Sequence, residues 1–458
     1  MIKINQMGLI RLVFISQLLS GCSIPFDKPM INDVSSIVTG HVSEELNWRI
    51  GKDANQFGTR VEDMLANPLT NESVVAIALL SNSRFQVKFT EFGISQNELT
   101  QSGVLENPFS EIVFKPSTEG GRVIEFGIVA NLFDILTLPA RRKILEKEYR
   151  QNNLDFASEI IIFTHEVIEV FYQYINALNK IDIHRSLNEI ASDGYDLAVE
   201  FNKAGNISDL DLAQYKSAFN NSTLELLEAE KNLSDLRINF EYLLGINNKN
   251  SYVLPKKLPD FENNNYDFTE LNNLALKNRI DLQALRIGLE VQKSDSDLSK
   301  DFFFINDGEI SFGAEHESGG GWELGPGVHL PLPLFDRGEL SEKDAVLKLE
   351  RLKEILKAEE DFISSDLKRL LEEINYNSGV LELLRDDHLP LSKEITRLTL
   401  SEYNFMLLGA YEVLEAKQSE YENEIMYLDA LLDYWLLRNN LNILLGGIIK
   451  SGEFNASK

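Results

Sequence analysis

The chain is built twice over. "EKNLSDLRINFEYLLG" closes its first half at Gly245 and "LLDYWLLRNNLNILLGG" closes its second at Gly446. Each half also holds an earlier glycine inside helical sequence, Gly205 in "VEFNKAGNISDLDL" and Gly409 in "SEYNFMLLGAYEVLEA". Inner and closing glycines lie 40 residues apart in the first half and 37 in the second. That difference of three is close to one helical turn, so the helices of the two halves stay in phase.

Around these glycines the apolar residues recur at steps of three, four and seven. Leu349, Leu352, Leu356, Ile363, Leu367, Leu370 and Ile374 form one seam; Leu212, Tyr215, Phe219, Leu226, Ala229, Leu233, Leu236, Phe240 and Leu243 form another. Glu, Lys, Asp, Asn and Ser fill the intervals, so one stripe packs and the rest faces water. A helix from about Pro139 to Ala204 is roughly 100 Å long at 1.5 Å per residue, enough to span a compartment. Pro390, in "RDDHLPLSKE", is expected to kink the second long helix rather than end it.

Before each long helix the period changes to two. In "EISFGAE" Ile310, Phe312 and Ala314 alternate with Glu309, Ser311, Gly313 and Glu315; after "HESGGG", Trp322, Leu324, Pro326, Val328 and Leu330 alternate with Glu323, Gly325, Gly327 and His329. The first half repeats the unit: "EIVFK", "PSTEGG", then Ile124, Phe126, Ile128, Ala130 and Leu132 against Glu125, Gly127 and Asn131. Two folds satisfy this pattern. In a sandwich the apolar faces meet in a core; in a membrane barrel they face lipid while Glu, Ser, His and Gly line water. Four strands cannot close a barrel alone, so the barrel requires several copies.

Cys22 is the only cysteine in 458 residues. It follows Lys3 and Arg11, the apolar run Leu12 to Ile15, and Leu18 and Leu19: a charged start and a short apolar middle, as in a secretory signal. Leu19-Ser20-Gly21-Cys22 resembles the bacterial lipobox, in which the thiol is acylated and the chain is cut before it. The expected mature chain begins at Cys22, tethered by lipid. Its formal charge of −28 becomes −30 once Lys3 and Arg11 are removed. Such a surface disfavours nucleic acid as a partner. After the signal no apolar run reaches membrane-helix length, so any crossing must be made by strands.

Nothing in the sequence needs to do chemistry. His41, His165, His184, His316, His329 and His388 are scattered without ligand spacing, no phosphate loop is present, and no cofactor or metal is expected. A lipid-anchored hydrolase using paired carboxylates lacks a positioned histidine or nucleophile. A periplasmic coiled-coil adaptor accounts for the helices but leaves the hairpins unexplained.

Several segments together carry a family resemblance: Pro333-Leu334-Phe335-Asp336-Arg337-Gly338, "AGNISDLDLAQ", "EVLEAKQSEY", "ALKNRIDLQAL" and "LSNSRFQ" followed by "NELTQSGVLENP". In this order, from about residue 60 to 447, the chain resembles the TolC-like outer-membrane efflux proteins, in their lipid-anchored branch. The resemblance implies a mainly α protein with a membrane β-barrel: long helical hairpins form a periplasmic α-barrel, and four strands per chain complete a trimeric twelve-stranded barrel. It divides the chain into a signal peptide (1–21), an extended segment (22–60), a first repeat (61–247), a linker (248–267), a second repeat (268–447) and a tail (448–458). It implies an exit duct of a tripartite efflux system, docked to a periplasmic adaptor and an inner-membrane pump; the outer-membrane component of a type I secretion system is the alternative. Drugs, metal cations and polypeptides all leave through such ducts.

The resemblance also places Gly205 and Gly409 at the periplasmic tip turns. Glu412 and Glu415 take the places of acidic residues that constrict the tunnel in some members, and their i, i+3 spacing sets them on one helical face. Three copies then bring six carboxylates to one axis, a candidate cation-favouring ring, unless they form only a solvated acidic face. Asp209 and Asp211 are positioned to extend that ring. Ser208, in "SDLD", reads as a helix cap. Met406 beside the second turn reads as packing before soft-metal ligation.

Overall fold

The computed structural model describes residues 54–116, 122–246, 251–263, 266–317, 320–335 and 337–447, with Val34, Ile37 and Val38. Cys22, Asp336, the proposed signal and the C-terminal tail lie outside the described residues. In chain order the elements are α1 (Ala54–Leu65), α2 (Asn71–Ser81), α3 (Ser83–Ser102), β1 (Phe109–Pro116), β2 (Arg122–Asn131), α4 (Leu132–Lys203) and α5 (Asp209–Leu244). The second half continues with α6 (Phe268–Asn278), α7 (Ile280–Asp301), β3 (Glu309–Glu317), β4 (Trp322–His329), α8 (Glu339–Leu383), α9 (Leu389–Asn404) and α10 (Ala410–Leu444). Each half thus runs short helices, three in the first half and two in the second, then two strands, a long helix, which in the second half comprises α8 and α9, and a returning helix. None of the described helices is long and apolar enough to cross a membrane.

The compact units do not follow the halves. One comprises Glu91–Asp155 with Asp281–Ala358; the other comprises the described residues within 35–90, 156–280 and 359–458. Each half contributes to both.

The first unit holds one antiparallel sheet in the order β1-β2-β3-β4, so the two hairpins are joined by pairing of β2 with β3. β2 passes into α4 without a loop. Leu132 N–H still donates to Gly308 O at 2.8 Å, one step beyond the strand, while Asn131 Oδ1 accepts from Asp134 N–H at 3.0 Å and starts the helix. The helix therefore begins seven residues before Pro139, which lies inside its third turn.

The second unit is held by an aromatic and aliphatic core in which Phe85, Phe171, Phe240 and Tyr434 are fully buried. The Phe85 ring stacks on Phe163 at 5.0 Å and Phe171 on Phe240 at 5.9 Å. Each closing glycine meets a junction between short helices. Gly245 ends α5 with φ +66°, and a Cβ there would stand 2.4 Å from Ser81 O, at the α2–α3 junction. Gly446 follows α10 with φ +82°, and its Cβ would stand 3.1 Å from Asn278 O, at the α6–α7 junction. Asn82, buried between α2 and α3, donates from Nδ2 to the carbonyls of Tyr242 and Leu243 at 3.1 and 2.8 Å and accepts from Phe85 N–H at 2.9 Å. One side chain so caps the end of α5 and the start of α3. The segment joining the halves is also packed: Trp435 Nε1 donates to Pro259 O at 2.8 Å and Tyr434 Oη to Glu262 O at 2.6 Å.

At Pro390 the helix is neither ended nor left with a simple break. Residues Leu384–His388 form a π turn between α8 and α9, Leu389 N–H donates to Leu384 O, and Pro390 falls in the first turn of α9. The wider turn accommodates the residue that has no N–H to give.

His165 on α4 is buried, with Nδ1 2.6 Å from Asn439 Oδ1 on α10 and Asn439 Nδ2 donating back to the His165 carbonyl at 3.1 Å. Burial holds this imidazole below its ordinary 6.5, outweighing the Asn439 hydrogen bond. The unfolded chain then binds more protons than the folded one in the window below 6.5, so stability is lost as pH falls through that window and is flat above it. Thermal melts from pH 7.5 to 5 should show a falling midpoint, and His165→Gln should flatten that slope; an unchanged slope would refute the assignment.

Candidate functional site

The sheet has two chemically distinct faces. Register puts Ile112, Phe126, Ala314 and Leu324 in one cross-strand row, Ser110, Ile128, Phe312 and Pro326 in the next, and Phe114, Ile124, His316 and Trp322 in a third. Adjacent rows on the opposite face read Glu111, Gly127, Gly313, Gly325 and Val113, Glu125, Glu315, Glu323. Successive residues point to opposite sides of a strand, so one side is apolar and the other carboxylate and glycine.

The apolar side is uncovered. Phe114, Phe312, Leu324 and Val328 are 72%, 56%, 68% and 58% exposed, and the described residues contain no second sheet to face them. The sandwich reading therefore fails: its core needs a partner layer. The exposed band runs from Trp322 to Val328, about 20 Å of strand at 3.4 Å per residue. His316 stacks on Trp322 at 5.0 Å at one end of it. On the carboxylate side three glutamates lie directly opposite one another, an arrangement that repels. Lys115 Nζ meets Glu125 Oε2 at 2.7 Å and relieves part of that repulsion. Among the described residues β1 and β4 each have only one strand neighbour.

Pro333, Leu334 and Phe335 follow β4 as an exposed segment, Phe335 fully so. Gly338 then adopts φ +81°, and a Cβ there would lie 2.9 Å from the Phe303 ring, so the turn into α8 requires glycine twice over.

In the second unit the two helical hairpins end in turns of the same hydrogen-bond pattern. After α4, Gly205 N–H donates to Asn202 O at 2.9 Å and Asn206 N–H to Phe201 O at 2.8 Å, with Gly205 at φ +75°. After α9, Met406 N–H donates to Tyr403 O at 2.9 Å and Leu407 N–H to Glu402 O at 3.0 Å. Here the left-handed position is held by Met406, φ 60°, a conformation costing a non-glycine residue about 1–2 kcal/mol. Gly409 is not the counterpart of Gly205: it has extended backbone, φ −85° and ψ 173°, and is the N-cap of α10.

Of the carboxylates near these turns, Asp211 is occupied in starting a helix. Ser208 Oγ accepts from Asp211 N–H at 3.2 Å while Asp211 Oδ2 accepts from Ser208 N–H at 2.9 Å, a reciprocal cap that holds the Asp211 carboxyl below the usual carboxylate range. Asp209 accepts from Asn202 Nδ2 at 3.1 Å. Glu412 lies in the first turn of α10 and folds back over Gly409, with Oε2 2.8 Å from where a Cβ would be; Glu415 is exposed one turn on. A groove of about 680 Å³ opens between the hairpin ends, bounded by Phe201, Ile207, Tyr403, Met406 and Glu412. Tyr215 and Tyr411, also on its wall, are the residues the sequence reading passed over: Tyr215 as one more seam position, Tyr411 as a neighbour of Gly409. The one available signal was the i, i+3 apolar pair Tyr411 and Leu414 immediately after the turn. Among the described residues no group of three or more His, Cys, Asp or Glu is placed to hold a metal.

No family model matches the chain. It is similar to the cobalt-zinc-cadmium resistance protein CzcC of Cupriavidus metallidurans, 21% identical over 392 residues, which cover 83% of this chain and 91% of CzcC. Among solved structures it resembles a membrane protein from Pseudomonas aeruginosa, TM-score 0.67 at 16% identity, over 82% of this chain and 92% of that one. It also resembles the outer-membrane channel OprN, TM-score 0.65 at 14% identity, over 89% and 95%. The chain has the fold of the TolC-like outer-membrane efflux channels.

Proposed function

We propose that this chain is the outer-membrane exit duct of a tripartite efflux system. Three copies contribute four strands each to one barrel, and their helical hairpins enclose a conduit through the periplasm. An adaptor and an inner-membrane pump meet the hairpin ends and supply the driving energy, and acylated Cys22 anchors each chain in the membrane. The observation that carries this reading is the two-faced sheet. A band of exposed phenylalanine, isoleucine, leucine and valine is costly in water and suits lipid, while its carboxylate face suits a watery bore. Exposed apolar residues on the helices support assembly of copies: Leu224, Leu227 and Ile238 on α5, Leu391, Ile395 and Leu398 on α9.

The cargo class we assign is divalent metal cations. CzcC is by name a cobalt-zinc-cadmium resistance protein, and a bore carrying Glu111, Glu125, Glu315 and Glu323 from each chain concentrates cations. Purified protein in planar bilayers under a KCl gradient should give a reversal potential of the cation-selective sign. Glu412→Gln with Glu415→Gln should lower that selectivity if the hairpin-end carboxylates form a ring. Anion selectivity in the unaltered protein would overturn the cargo assignment, and unchanged selectivity in the double variant would remove the ring.

A further inference from the structure

The carboxylate face of the sheet carries one positive charge. Its rows run from Asn131, Glu309 and His329 beside the helices, through Gly127, Gly313 and Gly325, to Glu125, Glu315 and Glu323 toward the strand turns. Among the described strand residues Lys115 is the only basic one on that face. Arg122, the other basic residue of the sheet, falls on the apolar side in register with Pro116. Lys115 Nζ reaches both oxygens of Glu125, at 2.5 and 2.7 Å, and lies within the field of Glu315 and Glu111. The Lys115 side chain is 54% exposed and that of Glu125 29%. As a structural contact a pair this exposed contributes little. Its effect is to seat an ammonium at one end of a row of three adjacent carboxylates.

We propose that Lys115 is a tethered counter-ion that sets how long a divalent cation lingers in the bore. This rests on the duct reading and names the residue that tunes its selectivity. Adjacent carboxylates draw cations in, but a duct conducts only what it also releases. With its ammonium held on Glu125, Lys115 occupies one carboxylate of the row and repels a cation from the two beside it. The row then attracts without trapping. The magnitude follows from charge alone: removing a positive charge from about 6 Å of a divalent ion in water strengthens its binding about tenfold. The same change of charge on the apolar side of the sheet, at Arg122, does not act on the bore.

The test is block of K⁺ current by Zn²⁺ in planar bilayers at 0.1 M KCl, with full-length protein and heat-resistant trimers in extracted membranes as the assembly control. Lys115→Gln should lower the half-blocking Zn²⁺ concentration about tenfold and make the reversal potential more cation-selective. Lys115→Arg, which keeps the charge, and Arg122→Gln, which removes one from the other face, should both match the unaltered protein. The same tenfold step should separate Glu125→Gln from the double variant Lys115→Gln with Glu125→Gln, and that pair carries the test if Lys115→Gln fails to assemble. An unchanged half-blocking concentration, or an equal effect of Arg122→Gln, would overturn the counter-ion while leaving the duct intact. Absence of any channel from assembled unaltered protein would overturn the duct and the counter-ion with it.

Discussion

Phe312→Arg should abolish assembly in the outer membrane, while Ser311→Arg, one residue earlier on the same strand, should be tolerated. Phe312 lies in the middle of the exposed apolar face, in the row of Ile128 and Pro326; Ser311 lies on the face of Gly327 and the glutamates. An arginine facing the hydrocarbon midplane of a barrel costs about 2–4 kcal/mol, so three copies lose about 6–12 kcal/mol. A loss of that size exceeds or matches the whole stability of many folded proteins. Facing water, the same side chain meets carboxylates and is stabilised by them. The readout is the fraction of chain in extracted outer membranes that runs as a heat-resistant trimer. Equal behaviour of the two variants would mean that the faces are not distinguished by their solvent.

Gly245→Ala has the second large effect, and Gly205→Ala supplies its control. Both glycines have positive φ, +66° and +75°, so both substitutions incur the left-handed penalty of about 1–2 kcal/mol. Only Gly245 is also crowded by backbone: its Cβ would sit 2.4, 2.5 and 2.7 Å from Ser81 O, Ser81 C and Asn82 N, whereas nothing lies within 4 Å of a Cβ on Gly205. Forced overpacking adds roughly 1–3 kcal/mol, giving about 2–5 kcal/mol for Gly245→Ala. Moving α5 off the α2–α3 junction also strains the carbonyl bonds made by Asn82. Denaturation midpoints should therefore separate the two variants clearly. Equal losses would show that the close approach at Ser81 is not a constraint.

Much of this architecture is written in local periodicity. The step from period two to period 3.6 marks β1 to β4 and the long helices, because burial of one face leaves its imprint on every second or every third and fourth residue. Ser208 was legible as a cap, since its serine and the aspartate three residues on are themselves the cap's two partners. What escaped is set by distant or backbone contacts. Pairing of β2 with β3 joins residues nearly two hundred positions apart, as Phe126 with Ala314, and no local pattern specifies it. Asn131 was read as a polar strand position, although its side chain starts α4, because a strand end and an N-cap favour the same residue. Gly409 does lie in the turn between α9 and α10, but a glycine there does not tell which residue of the turn is left-handed: that position is held by Met406, and Gly409 is extended. The contact of Tyr215 with Tyr411 was invisible because it spans almost two hundred residues.

The most direct measurement follows a fluorophore sensitive to its surroundings along one strand, placed through single cysteines at residues 310 to 315 of the membrane-assembled protein. Quenchers carried on lipid tails should reach positions 310, 312 and 314 and spare 311, 313 and 315, while a water-soluble quencher should show the reverse. Six positions that respond alike, or an apolar set reached only from water, would contradict a lipid-facing barrel wall.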